Sequence, residues 1–429
     1  LKSYVLKPLA ILGILIIAYS ILLTLAYMPN PSRLEYNIGS AIHIVEKEGI
    51  YRHVVYAFSG RGSERNNEVT DEIFYAIAGE PDFYARVAMF AEFWHLYSGT
   101  VRLDNFTDRI MLGQLRRQDG LSAFENAFTG YSRYWHGYVA VLRPVMAIFD
   151  FGTVRYIALF HQTLLIVAVS VMISKRLDMI FSLLFGFALA TFSYNIFPFS
   201  LQFSSVFYVM LYAMLISLCF EKRLVHDDAL LLYFFLVVGS ITNFFDLLTA
   251  PLLTLGIPLV LCHTLRNNHT GYIFKENVKT IILCSIYWGV GYAFTWIGRW
   301  IISYFVDPDI QVFSAISYRM IGTDETPLSY VFAFGGNIIT MFPFVLLATI
   351  IVLVAVLTGF IVKTGLSKNH AFNTSPVLLL CLAPYAWFFV FANHSEVHYW
   401  FTYRIQAIAV FALLAFLINL LNLQKIRMG

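Results

Sequence analysis

Apolar runs of about the twenty residues a helix needs to cross a hydrocarbon core recur through most of the chain. They fall near 8–28, 153–173, 179–195, 203–220, 229–245, 247–264, 280–297, 338–362, 376–392 and 401–421, and predict ten transmembrane helices. The runs between 180 and 264 are tightly spaced, so one short pair is a candidate re-entrant segment. Residues 29–152 form the one long polar excursion. Within it, Ile38, Ala41, Ile42 and Val45 recur at helical spacing, with Gly49 as a stop. Phe83, Val87, Phe90, Ala91 and Trp94 make a second stripe, and Tyr138–Phe149 is apolar but too short to span. Such pieces predict amphipathic helices lying along the membrane interface. The polar run Ser59–Asn67 reads as a loop tip.

Composition supports this pattern. Hydrophobic residues make up 59% of the 429 and charged residues 13%, about half the charge of an ordinary soluble domain. Membrane lipid must therefore be the solvent for much of the surface. A net charge of +3, without a basic tract, argues against a nucleic-acid partner. Cys219, Cys262, Cys284 and Cys381 all lie in apolar stretches without metal-site spacing, and read as small buried hydrophobes.

Charge then orients the spans. With a cytoplasmic N-terminus, one side collects Lys2, Lys7, Lys175, Arg176, Lys222, Arg223, Arg266, Lys275, Lys279, Lys363, Lys368, Lys425 and Arg427. The short connections on the other side hold only Arg299 and Arg319, with Arg404 just inside a span. The first run ends at Tyr27-Met28-Pro29 without a small-x-small cleavage pattern, and so reads as an uncleaved signal anchor. The expected organisation is a first span over 1–28, an external loop over 29–152 and a polytopic bundle over 153–429, with no internal repeat.

Candidate chemistry collects on the external side. Glu35 follows the first span closely, and Asp104 and Asp108 sit at i and i+4, on one face if helical. Arg133, Trp135 and His136 belong to an aromatic-rich stretch, Tyr131–Tyr138. Asp246 lies at a span end, and His394, His398 and Arg404 fill the last external turn and the start of the span after it. Each has an ordinary alternative: Glu35 as a solvated charge, Asp104 as a helix cap, the histidines as structural groups, the aromatics as an interfacial belt. Asp246 and Arg404 weigh more, because an ionised group at or inside a span end is costly unless it is paired or lines a wet cavity. A carboxylate can serve as base on an acceptor hydroxyl, and an arginine or histidine can hold a leaving phosphate.

A first span, a long acid-bearing external loop and many further spans resemble the GT-C superfamily of membrane glycosyltransferases. The resemblance covers the whole chain as a layout and is thin in motifs. It implies a catalytic acid in the first external loop, here Asp104, Asp108 or Glu35, with Asp104 favoured for its polar neighbours Asn105 and Thr107. It implies a polyprenyl-phosphate-linked sugar donor, a glycan or glycolipid acceptor and a bacterial plasma membrane. By analogy His394, His398 and Arg404 would lie near the donor phosphate. No cofactor follows from the residues, and a divalent metal stays open. The competing readings are a glycan polymerase or ligase working on polyprenyl-diphosphate oligosaccharides, and a lipid or solute transporter.

Overall fold

The computed structural model describes residues 2–26, 28, 37, 134–198, 201–306, 330–342, 344–365 and 367–428, with scattered positions between 317 and 327. Among these the fold is helical, apart from a two-residue antiparallel pairing of Gly322–Thr323 with Thr326–Pro327. The principal helices are α1 (Lys2–Ala26), α2 (Tyr138–Met146), α3 (Phe151–Arg176), α4 (Met179–Thr191), α5 (Leu201–Cys219), α6 (Asp228–Phe245), α7 (Leu253–Thr270) and α8 (Phe274–Val306). They are followed by α9 (Tyr330–Met341), α10 (Phe344–Thr364), α11 (Ala383–Val390) and α12 (Ala407–Met428).

Seven of the described helical segments are long and apolar enough to cross a membrane, so the chain is a multi-pass membrane protein. The described helices differ in detail from the ten expected runs. The run at 179–195 stops as a helix at Thr191, and that at 203–220 forms the 19-residue helix α5. The run at 247–264 becomes α7, which is buried along nearly its whole length and carries polar Arg266, Asn267, Asn268 and His269 in its last turns. The run at 338–362 is split between α9 and α10. The sequence between the two helices holds Pro343, a residue type without a backbone N–H to donate. The run at 376–392 starts as a 3-10 helix, Ser375–Leu382, with Pro376 in its first turn. The short apolar stretch around Tyr138–Phe149 forms α2, as its length predicts.

Local sequence explains several boundaries. Asp150, Asp178 and Asp227 cap α3, α4 and α6, accepting from the backbone N–H groups of Thr153, Phe181 and Leu230 at 3.0, 2.7 and 2.9 Å. Gly271 ends α7 and Gly365 follows α10, both with positive φ, where an L side chain is disfavoured.

The closest helix pair is α6 and α8, and glycine makes it so. A Cβ on Gly239 would stand 2.0 Å from the Trp288 carbonyl oxygen, and one on Gly291 2.0 Å from that of Leu236. Backbones touch, as in small-residue membrane crossings. Hydroxyls then link three helices: Tyr19 Oη lies 3.0 Å from Ser240 Oγ, which lies 2.7 Å from Thr295 Oγ1. At the far end of the bundle from Asp246, Glu221 is buried between Arg176, at 3.3 Å, and His269, at 2.7 Å.

Gly239→Ala and Gly291→Ala should each lower the thermal midpoint in detergent, with an overpacking cost of about 1–3 kcal/mol. Gly289→Ala, where an added Cβ meets nothing within 4 Å, should leave it close to wild type. Equal midpoints for all three would refute the close crossing.

Candidate functional site

Both ends of the polar segment 29–133 are tied to the same end of the bundle. Arg143 Nε donates to the carbonyl of Ala26 at 3.2 Å, and Asn37 Nδ2 donates to that of Met146 at 2.8 Å. On the far side of the segment, Gly137 N–H donates to Phe244 O at 2.8 Å and Trp135 Nε1 to Thr295 O at 2.8 Å. Arg299 Nε donates to Tyr134 O at 2.9 Å, with its guanidinium 5.8 Å from the Trp135 ring. His136, buried and at φ 52°, has Nδ1 3.3 Å from Tyr138 Oη.

Beside this junction α6 ends at Asp246, which is 2% exposed. Its carboxylate accepts from the backbone N–H groups of Leu248 (3.0 Å) and Thr249 (2.9 Å), from Thr249 Oγ1 (2.5 Å) and from Tyr292 Oη (3.2 Å). Burial pushes the Asp246 carboxyl up to about 6, and these four donors oppose that shift. The carboxylate holds a turn in which Leu248 takes φ 65°, and the carbonyl of that same Leu248 accepts from His394 Nε2 at 2.8 Å. His394 in turn stands 4.6 Å, ring to ring, from His398, which stacks on Phe401 at 5.1 Å.

Asn337 ties this last turn into the bundle. Its amide donates to Ser395 O at 2.8 Å, its Oδ1 accepts from Thr402 Oγ1 at 2.7 Å, and its carbonyl accepts from Gln406 Nε2 at 2.8 Å. Arg404 points elsewhere. Its Nε donates to Phe192 O at 3.3 Å, and its guanidinium lies 5.6 Å from the Phe197 ring and 5.0 Å from that of Tyr403. His136, Ser193 and Leu248 are the non-glycine residues with positive φ among those described, and all three sit at this end. Such conformations cost about 1–3 kcal/mol each and persist where surrounding contacts over-determine them.

The predicted residues therefore divide. Asp246, His394 and His398 form one contiguous group. Trp135 and His136 flank it through Phe244, whose ring is 5.9 Å from that of Trp135. Arg404 shares the end of the bundle but anchors the α4–α5 connection. Glu35, Asp104, Asp108 and Arg133 lie outside the described residues. Among the described residues no three metal-ligating side chains converge. The sequence reading passed over the structural part of Arg143 and Arg299, both 1% exposed or less, and of Tyr292 and Asn337. Arg299 had a signal, being one of the few basic residues in the connections predicted external. Tyr292 and Asn337 had none, because polar residues inside apolar runs are ordinary.

Comparison with protein-family models, with curated proteins and with solved structures found no match.

The raised Asp246 value sets a pH dependence. Between the unfolded value near 3.8 and the folded value near 6 the native state holds more protons, so stability should fall as pH rises through that window and level off above it. The two-unit difference corresponds to on the order of 3 kcal/mol. Thermal melts from pH 4 to 7.5 should show this slope in the wild type and lose most of it in Asp246→Asn. A slope unchanged by the substitution would assign it to another group.

Proposed function

We propose that this protein is a membrane glycosyltransferase of the GT-C type, moving a sugar from a polyprenyl-phosphate carrier to a cell-envelope glycan or glycolipid. One observation carries most of the weight. The acid-bearing segment 29–133 is pinned at both ends to the end of the bundle where Asp246, His394 and His398 gather. The residues that flank that segment therefore share one end of the bundle with the groups proposed to hold the departing phosphate.

In this reading the helices Met179–Thr191, Leu201–Cys219 and Leu253–Thr270, formed by the runs at 179–195, 203–220 and 247–264, complete ten crossings. The N-terminus is cytoplasmic, in a bacterial plasma membrane, and the reactive face is outside. Charge supports the orientation, since Arg176, Lys222 and Arg223 lie at the opposite end from Asp246. Asp104, with Asp108 and Glu35 as the other candidates, acts as the base that takes the proton of the acceptor hydroxyl as its oxygen attacks the anomeric carbon. The bond to phosphate breaks, and Arg404, Arg133, His394, His398 or His136 stabilises the polyprenyl phosphate that leaves. Trp135 offers an aromatic face to the sugar.

Purified protein in nanodiscs, given a panel of polyprenyl-phosphate sugars, should release free polyprenyl phosphate with at least one of them. Asp104→Asn should lower that turnover at least a hundredfold, within the range for loss of a general base. Arg404→Ala should raise KM for donor more than for acceptor. No release and no donor binding across the panel would turn the assignment towards a polymerase, a ligase or a transporter.

A further inference from the structure

Most side chains that α3 turns outward are hydrocarbon, as the face of a span in contact with lipid requires. His161 interrupts them. It is half-buried, and Ile157 and Leu164, one turn to either side on the same face, are 40% and 54% exposed. Its ring lies flat against that of Tyr208 on α5, with centroids 4.9 Å apart and planes 10° from parallel. Its Nε2 stands 2.6 Å from Tyr212 Oη, one turn further along α5, and Tyr212 is 43% exposed. Tyr208 Oη donates to Ala158 O at 3.0 Å, which fixes α5 against α3 at this level.

The pair lies deep. At about 1.5 Å of rise per residue, His161 is about 15 Å from the Phe151 end of α3 and about 22 Å from the Arg176 end, inside the hydrocarbon. Polar groups turned towards lipid there are costly unless something satisfies them. His161 Nδ1 has no hydrogen-bond partner among the described residues. If Tyr212 donates to Nε2, the Nδ1–H is a free donor and the phenol oxygen a free acceptor. If Nε2–H donates to Tyr212, Nδ1 is the acceptor and the phenol O–H the donor. In either tautomer the pair shows lipid one donor and one acceptor.

That combination selects among occupants. Acyl chains match neither group. A carbonyl compound dissolved in the bilayer matches only the donor. A second copy of this chain matches both. Two copies with the same orientation in one bilayer are related by a two-fold axis along the membrane normal, which carries every atom to its own depth. Only groups at equal depth then meet, and the 2.6 Å contact holds His161 and Tyr212 at equal depth. Across such an axis His161 of each copy faces Tyr212 of the other, and two hydrogen bonds form, with Ile157, Leu164 and Ile216 packed around them. We propose that the α3–α5 face carrying His161 and Tyr212 is the interface of a homodimer within the membrane. The dimer does not depend on the transferase reading.

The test uses the full chain in liposomes. Single-molecule photobleaching across a range of lipid-to-protein ratios should show wild type passing from one bleaching step to two as its density rises. His161→Leu and Tyr212→Phe each remove both hydrogen bonds across the axis and should weaken dimerisation about tenfold. Tyr304→Phe, at a tyrosine of α8 that is also exposed, should leave it unchanged. p-Benzoylphenylalanine in place of Leu164 should cross-link to a product of twice the chain mass, and in place of Val352, exposed on α10, should not. Wild type that stays monomeric at every density overturns the proposal and hands this face to a different membrane component. So do His161 and Tyr212 variants that keep the wild-type thermal midpoint and dimerise as tightly as wild type. If those variants do not fold, the cross-links in the otherwise wild-type chain decide: dimers trapped from position 352 and not from 164 place the interface elsewhere.

Discussion

A backbone carbonyl left without a partner inside a membrane protein costs more than almost any local preference of the chain, and one end of this bundle is organised around that cost. Helices stop or turn there at Ala26, Phe192, Phe244 and Leu248, and Tyr134 lies beside them. Each exposes a carbonyl that no helix can satisfy. The partners arrive from distant sequence: Arg143 for Ala26, Arg299 for Tyr134, His394 for Leu248, Arg404 with Tyr403 for Phe192, and the Gly137 amide for Phe244. Capping by a charged guanidinium is stronger than capping by a neutral N–H and brings positive charge into a region that would otherwise exclude it.

That requirement links structure to chemistry. An arginine spends one nitrogen, Nε, on a carbonyl and is thereby held at a fixed angle, which is what a phosphate-binding fork needs for pre-organisation. The strained turn at Leu248 follows the same logic. Asp246 holds it from one side through two backbone amides, and His394 holds its carbonyl from the other. Neither the Asp246–Thr249 turn nor the His394 turn can move there without disturbing the other. A site assembled from segments 146 residues apart needs such a latch.

Hydrophobic run length reveals the membrane class because it depends on one physical quantity, the thickness of the hydrocarbon core. Run length alone does not distinguish lipid-facing from protein-facing apolarity. α7 shows this: it is apolar because it is enclosed by other helices. Pro343 and Pro376 were visible as breakers, yet a break inside a long apolar run still reads as one span. Asp246 and His394 stood out as charges or rings at span ends, and the fold joins them through Leu248. Their partner Tyr292 was invisible, since its use depends on a helix crossing that no local pattern encodes. Asp104, the favoured base, remains a reading of residue type and position.

The glycine crossing and the Asp246–Tyr292 contact are parts of one arrangement. Gly239 precedes Asn243 by one helical turn, and Gly291 is the immediate neighbour of Tyr292. Where the two backbones touch, the side chains one turn further on cannot diverge far, because interhelical separation grows only gradually from a close crossing. Hence Tyr292 reaches the Asp246 carboxylate at 3.2 Å and faces the Asn243 amide. A bulkier residue at either glycine would force the helices apart and lengthen that contact before it disturbed any more distant group. The small residues thus have a consequence beyond packing: they set the distance across which the buried carboxylate and the tyrosine hydroxyl act together.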